Sequence, residues 1–94
     1  MAGPVNRAAI GDAILSAVSA RGAGKSICPS EVAKALRPED WRPLMHAVRQ
    51  EAAELSRQGR VVILRKGKPI PPEAMHGVIR LTLPGAAAAE GETA

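Results

Sequence analysis

Phenylalanine and tyrosine are absent from the chain, and Trp41 is its single aromatic residue. Proteins that hold single-stranded nucleic acid stack its bases on Phe, Tyr or Trp, and no such platform can be assembled here. Ala, Val, Ile and Leu must therefore build the core. Cysteine is as scarce: Cys28 stands alone, which excludes an intramolecular disulfide and a multi-cysteine zinc site. The only two histidines, His46 and His76, are far apart in sequence, so neither a structural metal nor a cofactor is expected. No apolar run approaches the roughly 18–20 residues of a membrane span. A phosphate-cradling glycine loop is missing too. Gly22, Gly24 and Lys25 mimic its composition, but the spacing fails and no strand precedes them.

What remains is short and basic. The 94 residues suffice for one domain, and a chain of this size buries only about 60–65% of its unfolded surface. The net charge is +4, and it is unevenly spread. Residues 60–84 hold Arg60, Arg65, Lys66, Lys68 and Arg80 against Glu73 alone. Residues 85–94 carry Glu90 and Glu92 and no cation. A local basic patch is the footprint of a polyanionic partner. Its ordinary alternative is a solvated surface.

Hydrophobic spacing orders the chain. Arg7 and the Ala-rich stretch after it imitate a signal peptide. Gly11 and Asp12 interrupt that stretch, and Ile10, Ile14, Ala17 and Val18 keep helical steps. The reading is a cytoplasmic helix over residues 5–20, with Asn6 as its N-cap and Gly22 after its end. A short loop follows, with room for a minor extended piece before residue 28. A second helix spans Pro29–Leu36, where proline suits the first turn and Glu31 can cap backward. Val32, Ala33 and Leu36 face the core, and Pro38 closes the segment. A third helix covers residues 41–58, capped by Asp40 and stopped by Gly59, with Pro43 tolerated in its first turn. Residues 60–66 read as a strand because Val61, Val62, Ile63 and Leu64 are apolar and mostly β-branched. Residues 67–77 contain Pro69, Pro71 and Pro72 and read as a loop. Residues 78–83 form the second strand, with Ile79, Leu81 and Leu83 on one face and Val78, Arg80 and Thr82 on the other. Residues 85–94 are expected to be a flexible tail.

An isolated hairpin is marginal in water, so it must pack on the helices. Three helices followed by a two- or three-stranded antiparallel wing make a winged helix-turn-helix, mainly α, spanning residues 5–84. On a helical wheel Trp41, Leu44, Val48, Ala52 and Leu55 gather on the core side of helix three. The opposite side carries Arg42, His46, Arg49, Gln50, Ala53 and Arg57, and no carboxylate lies near its centre. Arginine can grip guanine and glutamine adenine in a major groove, and a small Ala53 would allow close approach. The plainer reading is a solvated face of good helix formers whose stems cover apolar surface. In the wing, Arg65, Lys66 and Lys68 surround a tight turn where phosphates could be met, with Arg80 on the neighbouring strand. Edge-strand charges also serve to block aggregation. Lys25 and Ser26 are weaker phosphate candidates. Cys28 reads as a small buried hydrophobe. It and His46 lack a third orienting group, and so small a chain has little room for a pocket. No enzymatic activity is expected.

Four stretches resemble an uncharacterised bacterial domain-of-unknown-function family. They are GKSICPSEVAKAL (24–36), WRPLMHAVR (41–49), GRVVILRKGKP (59–69) and GVIRLTL (77–83). With helix one, the resemblance covers nearly all of the chain except its ends. It implies a winged-helix fold and carries no assigned activity or site residues.

The functional expectation is a duplex DNA-binding protein, such as a small transcriptional regulator. Arg42, His46, Arg49 and Gln50 would lie near base edges, and Arg57, Arg65, Lys66 and Lys68 on phosphates. The alternative is a protein-interaction module meeting an acidic protein partner with the same basic face, since one fold serves both roles. No membrane partner is expected, and either a monomer or a homodimer is compatible.

Overall fold

Helix α1 spans Arg7–Arg21, within a computed structural model that describes residues 6–84. Val5 and the tail expected over residues 85–94 lie outside the described residues. Asn6 caps α1 as its side chain allows: Oδ1 accepts from the Ala9 amide at 2.8 Å. Ile10, Ile14 and Val18 recur at four-residue steps and are buried. Gly11 lies on the same side, where α1 meets α3. A Cβ there would come within 3.3 Å of the Glu51 carboxylate, so the missing side chain lets the two helices approach.

The chain then adds a short strand β1 (Ser26–Ile27) and helix α2 (Pro29–Leu36). Glu31 caps α2 from its third position. Its Oε2 accepts from the Cys28 amide at 3.0 Å, and its other oxygen is paired with the Arg21 guanidinium. Chiefly the Cys28 amide, with Arg21 and Arg80 adding to it against the cost of burial, holds the Glu31 carboxyl below the usual carboxylate range. A lowered folded pKa means stability that is present above the unfolded value and lost as pH falls through the folded one. Glu31→Gln should therefore be less stable than the parent near neutral pH. Urea unfolding should show the gap closing on the acid side of the ordinary carboxylate range.

Helix three differs from its expectation at its start. A single 3-10 turn, Arg42–Leu44, precedes helix α3 at Met45–Arg57. The Leu44 amide donates to the Trp41 carbonyl at 2.9 Å. Asp40 is not the cap. The cap position falls one residue later, on Trp41, which is itself helical at φ −86 and ψ −25 and makes no side-chain cap bond, whereas a capping residue has extended backbone at its own position. The Asp40 carboxylate instead sits 3.7 Å from Arg37. Gly59 ends α3 as expected. With φ +76 it lets the Arg60 amide return to the Leu55 carbonyl at 2.9 Å, the paired closure common at helix ends. That closure occupies Arg60, so the next strand begins later than expected.

The sheet is larger than the expected wing. Strands β2 (Val62–Arg65), β3 (Lys68–Ile70) and β4 (Arg80–Thr82) join β1 in one antiparallel sheet of order β1-β4-β2-β3. Residues 67–77 are thus not all loop. Lys66 and Gly67 have φ of +53 and +79, the two left-handed residues of a two-residue hairpin loop. Arg65 pairs with Lys68, and Leu64 with Pro69. In such a hairpin the pair flanking the loop carries the ladder bonds and the next pair does not. Position 69 therefore faces outward and proline forfeits nothing there, which suits an edge strand. A second 3-10 turn, Pro72–Ala74, leads back towards β4.

Ile27, Ile63 and Leu81 form one cross-strand row by register. They pack with Val32, Ala33, Val48, Ala52 and Leu55 of the helices into a single core. The result is a mixed α/β unit, three helices against a four-stranded antiparallel sheet. Thr82 lies on the outer sheet face as expected, yet it is buried, because Lys25 crosses it and its carbonyl accepts the Thr82 hydroxyl at 2.6 Å.

Candidate nucleic-acid interface

The start of α3 holds the first group of candidate residues. Trp41 is half-buried against the core, and its ring carries two cations. The Arg42 guanidinium lies 4.7 Å and the Lys34 ammonium 4.8 Å from its centroid. Such stacking orients a guanidinium while leaving its edges free to donate. His46 and Gln50 follow Arg42 at steps of four, and all three are exposed. They form one stripe along the first two turns. Lys34 is not legible as a candidate in the sequence, because nothing local shows that the end of α2 returns to Trp41.

The second half of α3 is less open than the wheel implied. Ala53 is buried, only 6% exposed, so it cannot serve a close approach by a groove. Residues 72–75, in the return from β3, cover this flank. Arg49 holds that return in place: Nη1 donates to the Gly77 carbonyl at 3.2 Å and Nη2 to that of Met75 at 3.5 Å. Arg57 sits between two carboxylates, Glu54 at 3.3 Å and Glu73 at 3.7 Å. A cleft of about 470 Å³ here is edged by Gln50, Glu51, Glu54, Arg57 and Met75. Its charge is mixed, and Glu51 is itself paired with Arg7 at 3.1 Å.

The third group lies on the β2–β3 hairpin. Arg65, Lys66 and Lys68 are all exposed at its tip. None forms an ion pair among the described residues, whereas Arg7, Arg21, Arg37 and Arg57 do. A second cleft, of about 460 Å³, joins Arg65 and Lys66 to Ser26, Val78 and Arg80 and includes no residue of α3. Arg80 is anchored beside it. Nε donates to the Ser26 hydroxyl at 2.6 Å and Nη2 to the Ser26 carbonyl at 3.0 Å. The period-two pattern of β4 placed Arg80 outward, but its partnership with Ser26 depends on the β1–β4 pairing, a contact between residues far apart in sequence. Lys25 is exposed next to Ser26.

Among the described residues no group of three or more His, Cys, Asp and Glu is placed to hold a metal ion. No described helix is long and apolar enough to cross a membrane. Cys28 is half-buried with its Sγ 3.1 Å from the Ser30 hydroxyl. A search of curated proteins finds no match. Residues 7–84 match the family described as a protein of unknown function (DUF3253). That match spans all three helices and all four strands, and the chain belongs to this family.

Proposed function

We propose that the chain is a winged-helix variant that binds duplex DNA. The α2–turn–α3 unit would present Arg42, His46 and Gln50 to a major groove, and the β2–β3 hairpin would set Arg65, Lys66 and Lys68 on flanking phosphates. One observation carries this reading. Arg42, before α3, and the hairpin cations Arg65, Lys66 and Lys68 are exposed with no carboxylate partner among the described residues, while Arg7, Arg21, Arg37 and Arg57 are matched. Arg42 and Gln50 can take base edges bidentately, and Lys34 beside Trp41 adds a phosphate contact. Arg49 and Arg57 then act as internal braces for the return from β3. Duplex is favoured over single strands because the sole aromatic ring is already stacked by two cations.

Four phosphate contacts give a salt slope of about −3.6, so affinity should fall roughly 150-fold between 50 and 200 mM salt. Fluorescence anisotropy of a labelled duplex measures this directly. Absence of binding at 50 mM would end the DNA reading and leave the basic face to an acidic protein partner.

A further inference from the structure

We infer that the cleft on the outer sheet face is a phosphodiester site, anchored by Arg80 and walled by Val78. The inference rests on the duplex reading above and deepens it by naming residues outside the α3 stripe and the hairpin tip.

Three features converge there. First, Arg80 is exposed yet fixed. Two of its five N–H donors are held by Ser26, and three remain for a ligand in a known direction. A guanidinium held in this way loses little freedom on meeting a phosphate. Second, the cleft brings it together with Lys66 and Arg65, so one anion would meet several cations. Glu31, whose charge also interacts with Arg80, is already engaged by Arg21 and the Cys28 amide. Third, the cleft is not wholly polar. Leu64 is half-buried in it, and Val78 is 84% exposed, the most open large hydrophobic residue among the described residues. Inorganic phosphate has no use for such a wall. A phosphodiester does: its oxygens would take Arg80 and Lys66 while the hydrocarbon edge of the deoxyribose packs on Val78 and Leu64. The site would hold one strand of the duplex beside the hairpin and fix its register, without reading sequence.

Arg80→Gln and Val78→Asp test this in the full chain, with the same labelled duplex. Arg80→Gln should flatten the salt slope by about 0.9 and weaken binding roughly eightfold at 0.1 M salt. Val78→Asp, at a position that supports no core packing, should weaken binding at least as much with unchanged thermal unfolding, so the test survives if Arg80→Gln folds poorly. Parent protein that binds, with Val78→Asp binding equally well at the same slope, overturns the site while leaving the duplex reading intact. Parent protein that fails to bind overturns both.

Discussion

Replacing Lys66 by Asn and Lys68 by Gln together should weaken duplex binding about 60-fold at 0.1 M salt. Each phosphate contact contributes about 0.9 log unit there through counterion release, taking 1 M salt as the point where that contribution vanishes. The double variant should also show a salt slope shallower by about 1.8. The substitutions are chosen so that the fold does not suffer. Lys66 sits at φ +53, where most side chains are strained and Asn is better tolerated. Lys68 is exposed on an edge strand. Thermal unfolding should therefore stay level or rise slightly while affinity drops. Arg37→Gln is the control: its charge is already met by Asp40, and binding should be nearly unchanged. Equal affinity of the double variant and the parent would remove the hairpin from the interface.

Leu81→Ala should have the largest effect on stability. Leu81 is fully buried in the central strand β4 and is paired in register with both Ile27 and Ile63. Removing such a side chain costs about 2–5 kcal/mol, from lost burial and from the cavity left behind. The whole domain is expected to have only about 5–14 kcal/mol in hand, judged from its length. Its melting temperature should fall by roughly 10–40 °C. Val78→Ala, three residues earlier in the chain but on the open face, should change stability by about 0.5 kcal/mol or less. Urea unfolding followed by circular dichroism separates the two cases. Equal costs would mean that the sheet does not seat its Leu81 face on the helices.

Much of the fold is legible in the sequence because its signals are local. Asn6, Pro29, Glu31 and Gly59 each act within a few residues of themselves, and each does in the structure what its chemistry suggests. The four-residue steps of Ile10, Ile14 and Val18 likewise fix a buried face. The misreadings involve residues whose neighbours come from far along the chain. Pro69 reads as a strand breaker until the Arg65–Lys68 pairing turns its missing N–H outward. Asp40 has the composition of a cap, but the cap position falls one residue later, on Trp41, and its carboxylate lies beside Arg37. A helical wheel shows one helix alone, so it leaves the whole outer face of α3 open. Residues 72–75 close over Ala53, and Arg49 finds carbonyls 26 and 28 residues ahead of it. The same limit hid Lys34 beside Trp41 and Ser26 beneath Arg80.

The most direct test is an NMR titration of the isotopically labelled chain with a short duplex at low salt. The account predicts amide shifts from Arg42 of the 3-10 turn to Gln50 of α3, and around the hairpin from Arg65 to Lys68. The mixed-charge cleft near Glu54 and Glu73 should stay still. Shifts confined to that cleft, or no shift at any amide with the duplex in excess, would contradict it.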